Sequence, residues 1–365
     1  MQKYNSVVFP FTRFNKLNDL RVRDNFVGKK VISLNELRAL LPSGNFSKLM
    51  QRGGNPADKI FNLFLHPQIR FGPKRFVLEK KSHWLAKING FVKSRRPLLF
   101  TILGFPGKAP VPLKTNRSLP DFGEILALQR LFDLTQIIKK IYKPGAKVII
   151  VTEGVLGDFI GLDPQETRAY EKQLAFFAKK LGWHKALDFL PLRDLTKLKN
   201  FEVFFKKNIS LLKRGKNRSA AQKKFQAAFN SVFHLVNCRG FALDIIADAY
   251  QTRPKTKKGR HLRNQLIQKA SQAVWQYLAF LKTRDDLRFL EKRASQALAL
   301  TVSPKPYRLG FNLVSKTNKL LPHHGVPLGT EIRYLIDIRR SNKKFIQIYL
   351  KADKENLPFL YLLKK

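Results

Sequence analysis

Predominantly apolar runs alternate with amphipathic segments through the middle of the chain. The runs 97–104 and 147–151 are bounded by proline, glycine or charged residues, which is typical of strands buried on both faces. Residues 121–143 and 163–182 carry apolar side chains at helical spacing instead. The order strand, helix, strand, helix predicts βαβ units, so we expect an α/β fold with a Rossmann-like, mainly parallel sheet flanked by helices.

Capping residues mark the ends of the predicted helices. Ser33 with Glu36 and Asp121 with Glu124 both have the spacing of a capping box, in which two side chains satisfy the first free amides of a helix. Pro144-Gly145 follows a last helical turn that carries three lysines, and this favours a helix end there.

The two flanks of this α/β unit have a different pattern. Residues 1–96 look irregular and then mostly helical, and we predict that they form a separate N-terminal segment. Residues 97–365 would form the α/β domain, with a basic helical insertion at about 201–295, a single long helical pattern at 219–250 and a flexible loop at 253–261. A β-rich C-terminal part is predicted from apolar runs at 297–302, 309–314, 333–338, 345–350 and 359–363.

Charge is the unusual feature of the composition. The chain has 70 Lys and Arg against 25 Asp and Glu, a formal net charge of +45, yet 44% hydrophobic residues and 30 phenylalanines indicate a packed globule. Such a surface attracts polyanions nonspecifically, and the basic clusters at 206–218 and 253–263 favour nucleic-acid or anionic-lipid binding. An enzyme with evenly dispersed basic charge is the alternative.

Several protein classes are not indicated. Cys238 is the only cysteine, which excludes an internal disulfide framework and a CxxC metal motif, and its apolar surroundings predict a buried thiol. The first residues do not have the pattern of a secretory signal, and no uncharged apolar run reaches about 18 residues. We therefore expect a cytoplasmic protein with no membrane span. No nucleotide-loop, zinc-protease, serine-hydrolase or kinase signature is present.

A glycine- and proline-rich loop follows the first buried strand and carries Lys108 and Lys114. The loop is not a Walker A motif, because Ala109 stands where that motif needs Ser or Thr. Parallel sheets nevertheless place ligands at the carboxyl ends of their strands. The two lysines are predicted to bind a sugar phosphate or to form an imine with a carbonyl, unless they are solvated residues of a rigid turn.

Carboxylates are found at two places in the same region. Asp121 and Glu124 begin a helix, and capping alone accounts for them. Glu153 and Asp158 follow the second buried strand, where acid–base groups would face a ligand, although turn formation also explains them.

Two adjacent histidines, His323 and His324, lie beside a turn near the C-terminus. Neighbouring side chains point in different directions in extended chain, so joint ligation of one metal is disfavoured. We expect no metal site here, and a single catalytic or substrate-orienting histidine instead.

Four sequence blocks and two C-terminal segments resemble the isocyanide (isonitrile) synthase family of pyoverdine/paerucumarin and dityrosine biosynthesis. The blocks are Phe105-Pro-Gly-Lys108-Ala-Pro110 with Lys114, Leu119-Pro-Asp121 with Glu124, Tyr142-Lys-Pro-Gly-Ala146, and Thr152-Glu153-Gly154 with Asp158, followed by Leu300-Thr-Val-Ser303-Pro304 and Leu321-Pro-His323-His324-Gly-Val326. The chain departs from the family pattern at Val111 (Asn in the family), Ser303 (His), His323 (Trp) and Glu153 (Asp).

The resemblance implies an enzyme that converts the α-amine of a tyrosine- or tryptophan-type amino acid to an isocyanide. Ribulose 5-phosphate would donate the carbon, without a metal or organic cofactor, and an iron- and oxoglutarate-dependent oxygenase often modifies the product. The alternative is a diverged member whose basic surface binds nucleic acid or anionic lipid without this catalysis. The residues expected to act are, for proton transfer, Glu153, Asp158 and His324, and for substrate binding, Lys108, Lys114, Asp121 and Glu124.

Overall fold

Two five-stranded sheets organise the part of the chain that the structure describes. The structure is a computed structural model that describes residues 23–42, 49, 54–214, 219–251, 253–302, 307–314 and 320–364. The predicted irregular start of the chain, residues 215–218 of one basic cluster, and Ser303-Pro304 lie wholly or largely outside these ranges.

The strands and helices are assigned from the backbone hydrogen bonds. In chain order the strands are β1 (Phe26–Ile32), β2 (Leu98–Gly104), β3 (Ala146–Thr152), β4 (Leu187–Pro191), β5 (Leu298–Thr301), β6 (Leu309–Gly310), β7 (Val326–Leu328), β8 (Glu331–Arg333), β9 (Phe345–Leu350) and β10 (Leu360–Leu363). The helices are α1 (Leu34–Leu40), α2 (Pro56–Leu63), α3 (Lys74–Leu78), α4 (Lys81–Lys93), α5 (Phe122–Ile141), α6 (Gly154–Phe159), α7 (Pro164–Lys180), α8 (Phe201–Arg214), α9 (Ser219–Phe233), α10 (Leu243–Ala249), α11 (Lys257–Asp286), α12 (Phe289–Arg293) and α13 (Leu335–Arg340).

The first sheet is parallel and has the strand order β4-β3-β2-β5-β6. Phe100 of β2 pairs with Val148 of β3 on one side and with Leu298 of β5 on the other, and all three side chains are buried. The strand order reverses at β2, so the carboxyl end of β2 is the topological switch point where such sheets place ligands. The α/β fold and the bounds of β2, β3, α5 and α7 agree with the sequence analysis.

The second sheet is mixed and has the order β1-β9-β10-β7-β8. Strand β1 pairs in parallel with β9, with Lys30 opposite Ile348, whereas β9 and β10 are antiparallel. Strand β1 was not predicted, because residues 26–32 show no clear alternation of apolar and polar side chains. This strand joins the N-terminal segment to the C-terminal part of the chain, and the domain boundary at residue 96 stays a prediction.

Three local predictions were wrong. The run 333–338 is not a strand: β8 ends at Arg333 and α13 follows, since short apolar runs do not distinguish a strand from a buried helix. The pattern at 219–250 is two helices, interrupted where Gly240 has a φ of +90°. The predicted loop at 253–261 is shorter than expected, because Thr256 caps α11 and the helix begins at Lys257.

Helix α5 lies inside the molecule at its N-terminal end. Residues 122–129 are all buried, including Glu124, and the helix packs on β3. Only the later turns of α5 have one buried apolar face and one more exposed polar face. A buried charged residue needs a partner, so the first turn of α5 is where a functional arrangement is expected. Cys238 is buried, as its apolar surroundings predicted.

Within the described ranges, no helix is both long enough and apolar enough to cross a lipid bilayer.

Candidate active site

The first turn of α5 holds a buried ion-pair network. Asp121 caps the helix by accepting a hydrogen bond from the amide of Gly123 at 2.8 Å, and Glu124 accepts one from the amide of Asp121 at 2.9 Å. The capping box is therefore present, as predicted. Lys108 Nζ contacts Asp121 Oδ2 and lies 3.0 Å from Glu124 Oε2, and the three side chains have no solvent exposure. Both carboxylates thus do more than cap a helix.

Two carboxylates share one ammonium here, and none of the three side chains is exposed to solvent. Burial raises the pKa of Asp121 to about 8, with the nearby charge of Lys108 acting against the shift. Burial alone would also raise the pKa of Glu124, but Lys108 and the amide of Asp121 outweigh it, so this pKa is lowered. Tyr170 donates a hydrogen bond to Glu124 Oε1 at 3.2 Å. The two carboxylates therefore influence each other's titration, with the pKa of Asp121 raised and that of Glu124 lowered.

Lys114 is buried a few residues further along the same loop. Its Nζ donates a hydrogen bond to the carbonyl oxygen of His234 and lies 5.5 Å from the ring centre of Tyr250. Burial lowers the pKa of Lys114 to about 7, so the ammonium and the neutral amine are both populated near neutral pH. This side chain can change its charge when an anion arrives.

A short 3-10 helix, Pro322–His324, packs on the N-terminus of α5. Gly123 permits this approach, since a Cβ at that position would lie 2.7 Å from Ile332 Cδ1 and 3.5 Å from Pro322 Cβ. The imidazole rings of His323 and His324 are 4.2 Å apart between centroids.

Both histidines are neutral at physiological pH. Burial lowers the pKa of His323 to about 4, although the charge of Glu124 acts against this shift. Burial also lowers the pKa of His324 far below its usual value, and His323 and Lys114 add to the shift. The histidines, which are half-buried, therefore lie within electrostatic reach of Lys114, and His323 also lies within reach of Lys108 and Glu124. A neutral imidazole there can exchange a hydrogen bond with a substrate, but its lowered pKa makes it a weak base.

The remaining two predicted residues have other contacts. Glu153 follows β3 and accepts a hydrogen bond from the hydroxyl of Tyr277 in α11. Asp158 in α6 accepts a hydrogen bond from Thr167 at 2.8 Å and forms an ion pair with Arg193 at 3.2 Å. The structure therefore brings five of the seven predicted side chains into one region: Lys108, Asp121 and Glu124 form buried ion pairs, Lys114 is buried in the same loop with contacts of its own, and half-buried His324 lies within electrostatic reach of Lys114.

Sequence reasoning missed side chains that surround this network. His234 and Tyr250 contact Lys114, yet they lie more than a hundred residues away along the chain in ordinary apolar helical patterns. Arg193 likewise joins Asp158 to Glu171, with a 2.9 Å ion pair to the latter. No local motif marks any of the three.

Among the residues that the structure describes, no group of three or more His, Cys, Asp or Glu side chains has the arrangement of a metal site. Val111, one of the departures from the family pattern, is fully buried, and its carbonyl oxygen accepts hydrogen bonds from the amides of Lys114 and Thr115 at 2.7 and 2.9 Å. This position therefore shapes the turn that carries Lys114.

Comparison with known proteins gives a consistent result. The family model described as pyoverdine/dityrosine biosynthesis protein matches residues 88–287. An L-tryptophan isonitrile synthase of Fischerella ambigua is 23% identical over 266 residues, which is 70% of this chain and 78% of that protein. An L-tyrosine isonitrile synthase of Xenorhabdus nematophila is 36% identical over 124 residues, which is 32% of this chain and 37% of that protein.

The fold agrees with a solved structure. The crystal structure of the PvcA protein from Pseudomonas aeruginosa superposes with a TM-score of 0.64 at 18% identity, covering 84% of this chain and 100% of that one. None of these matches supports the alternative of a nucleic-acid- or lipid-binding protein without catalysis. Because the family model covers more than half of the chain, the protein belongs to the pyoverdine/dityrosine biosynthesis family, that is, to the isocyanide synthases.

Proposed function

We propose that this protein is an isonitrile synthase that acts on tyrosine or tryptophan and takes the isocyanide carbon from ribulose 5-phosphate. The observation that carries the proposal is the buried network around the first turn of α5, in which burial displaces several pKa values from their usual range. Perturbed pKa values of this kind are typical of sites that transfer protons. The names of the relatives support the amino-acid class.

Lys114 is the proposed partner of the sugar phosphate. Lys108 forms ion pairs with Asp121 and Glu124, whereas Lys114 lies on the same loop with a pKa lowered to about 7, so an arriving anion can change its charge. A dianionic phosphate near Lys114 favours the ammonium form and raises its pKa, so binding takes up a proton near neutral pH. Lys108 would then orient Asp121 and Glu124 and contribute to the positive potential.

Proton transfers follow from the same ionisation states. Condensation of an amine with the ketone of the sugar expels water, which requires a proton on the departing oxygen. Asp121, whose pKa is raised, is the proposed acid, and neutral His324 is proposed to orient the substrate through a hydrogen bond. Ionised Glu124 is suited to hold the substrate ammonium. Glu153 and Asp158 are proposed to serve the later proton transfers, with Tyr277 orienting Glu153.

The decisive experiment is turnover with labelled sugar. Purified protein is incubated with tyrosine or tryptophan and uniformly ¹³C-labelled ribulose 5-phosphate. The isocyanide is then trapped with a tetrazine, and the mass of the adduct is measured by mass spectrometry. We expect a product that carries one ¹³C atom. Lack of a sugar-dependent product with either amino acid, or an isocyanide without the label, would show that the proposal is wrong.

Variants then test the assignment of the site. His324→Asn and Lys114→Met are expected to lower kcat/KM by about 10²–10⁴-fold while the protein stays folded. His184 is exposed and lies outside the network, so His184→Asn is a matched control that should keep full activity. Circular dichroism and thermal melting establish folding, and full activity in both site variants would contradict the assignment.

A further inference from the structure

A second concave surface lies on the opposite face of α7 from the buried network. Thr167, Tyr170 and Phe177 point inwards, and Tyr170 reaches Glu124. The residues between them on the helix surface line a groove of about 490 Å³, a size typical of small-molecule sites. The turn between β9 and β10 forms the other wall. The lining residues are Gln165, Arg168, Ala169, Lys172, Gln173, Phe176, Ala352 and Lys354.

Three cations converge in this groove. Arg168 and Lys172 are exposed and lie four residues apart on α7, a spacing at which like charges repel, and Lys354 faces them from the turn. Within the described ranges, none of the three has an ion pair. The carboxylates nearest along the chain are engaged elsewhere: Glu166 with Arg239, Glu171 with Arg193, and Asp353 with Arg117 and Gln173. A bound anion would therefore reduce the repulsion among Arg168, Lys172 and Lys354.

The groove also has an apolar end. Phe176 is 37% exposed, and its ring lies 5.5 Å from that of Phe177 between centroids. Lys180 Nζ lies 5.8 Å from the ring centre of Phe176 and adds a fourth cation. Ala169 and Ala352 have small side chains that leave the floor open. An exposed aromatic ring beside a cluster of cations is how proteins hold a planar group that carries a phosphate.

We infer that this groove is a binding site for a phosphate ester of nucleotide size that carries a planar apolar group. The phosphate would lie between Arg168, Lys172 and Lys354, where the guanidinium supplies paired donors and the ammonium groups supply charge. The planar group would lie against Phe176. The site is separate from the buried network and does not depend on the proposed function.

Adenosine 5′-monophosphate is the probe, and binding to the full chain is measured by isothermal titration calorimetry at low salt. We expect saturable binding at one site, with weaker binding of adenosine or inorganic phosphate alone. Arg168→Gln/Lys172→Gln should weaken AMP binding by about tenfold or more. Lys140→Gln/Lys143→Gln removes two exposed cations outside the groove and is the matched control, for which affinity should not change.

Phe176→Ala separates the two halves of the site. It should weaken AMP binding while leaving the binding of inorganic phosphate unchanged. Lys114→Met should not alter the affinity for AMP, because Lys114 does not line the groove. A loss of AMP binding in Lys114→Met would place AMP in the buried network and overturn the inference. Equal weakening by the two double variants, or lack of AMP binding, would overturn it as well.

Discussion

Replacing Lys108 tests how much the buried ion pairs at the first turn of α5 contribute to the free energy of unfolding. The Lys108→Met variant keeps the length of the side chain but leaves Asp121 and Glu124 without their shared cation. All three side chains have no solvent exposure, and the Nζ–Oε2 distance to Glu124 is 3.0 Å. The relevant magnitude is therefore that of a broken buried ion pair, about 3–5 kcal/mol of unfolding free energy, rather than the 0–1 kcal/mol of a surface pair.

The pH dependence of this loss has a definite sign. Without Lys108 the pKa of Asp121 rises further above its unfolded value and the pKa of Glu124 rises from its lowered value, so the folded variant binds more protons than the unfolded chain or the folded parent protein. Its stability is then highest below the unfolded pKa values of about 4 and falls as pH rises. The difference in stability between the variant and the parent protein should be larger at pH 8 than at pH 5.

Urea unfolding followed by circular dichroism at both pH values measures these differences. The triple variant Lys108→Met/Asp121→Asn/Glu124→Gln is the control, because it removes all three charges and should recover part of the lost stability. A loss below about 1 kcal/mol at pH 8 for Lys108→Met, or a loss that grows at pH 5, would refute the reasoning.

Three further outcomes follow from the structure. Since burial lowers the pKa of Lys114 to about 7, the Kd of ribulose 5-phosphate measured by calorimetry should rise as pH increases above 7, and a flat profile would contradict its role. A Cβ at Gly325 would lie 2.4 Å from the carbonyl oxygen of Arg333, so Gly325→Ala should lower the free energy of unfolding in urea by about 1–3 kcal/mol. The control Gly90→Ala has open space around it in α4 and should raise the free energy of unfolding by about 0.5–1 kcal/mol. Arg117 is fully buried and binds Asp353 at 2.6 Å, so Arg117→Met should cost about 3–5 kcal/mol by the same assay, and a loss below about 1 kcal/mol would contradict it.

Local sequence was sufficient where each residue's environment depends on its near neighbours along the chain. The capping box of Asp121 and Glu124, and the proline and glycine that end α5, define a helix without reference to any other element. The run at 98–104 is a buried parallel strand for the same reason, since its side chains are apolar on both faces. The elements that sequence reasoning missed or misread, β1 and α13, have short patterns that are stable only through their partners.

The candidate site likewise combines features that the local sequence predicts with contacts that it does not predict. The chain order places Lys108 and Lys114 in the loop after β2, and the parallel sheet puts that loop at the switch point. Sequence alone did not reveal that Lys108 is paired with the two capping carboxylates, nor that Lys114 contacts the His234 carbonyl and Tyr250, which follows α10. These contacts join residues that are remote along the chain, so no local spacing encodes them.

The sequence by itself determined the order of the strands and helices around the site, the helix caps, and the set of ionisable side chains near the ends of β2 and β3. Only the tertiary structure decided which of these groups lose contact with water and which charges then face one another. The physical reason is that a pKa and the energy of an ion pair depend on burial and on distances of a few ångströms, and both are fixed by packing between distant segments. The same side chains in an unfolded chain would be ordinary solvated lysines, carboxylates and histidines.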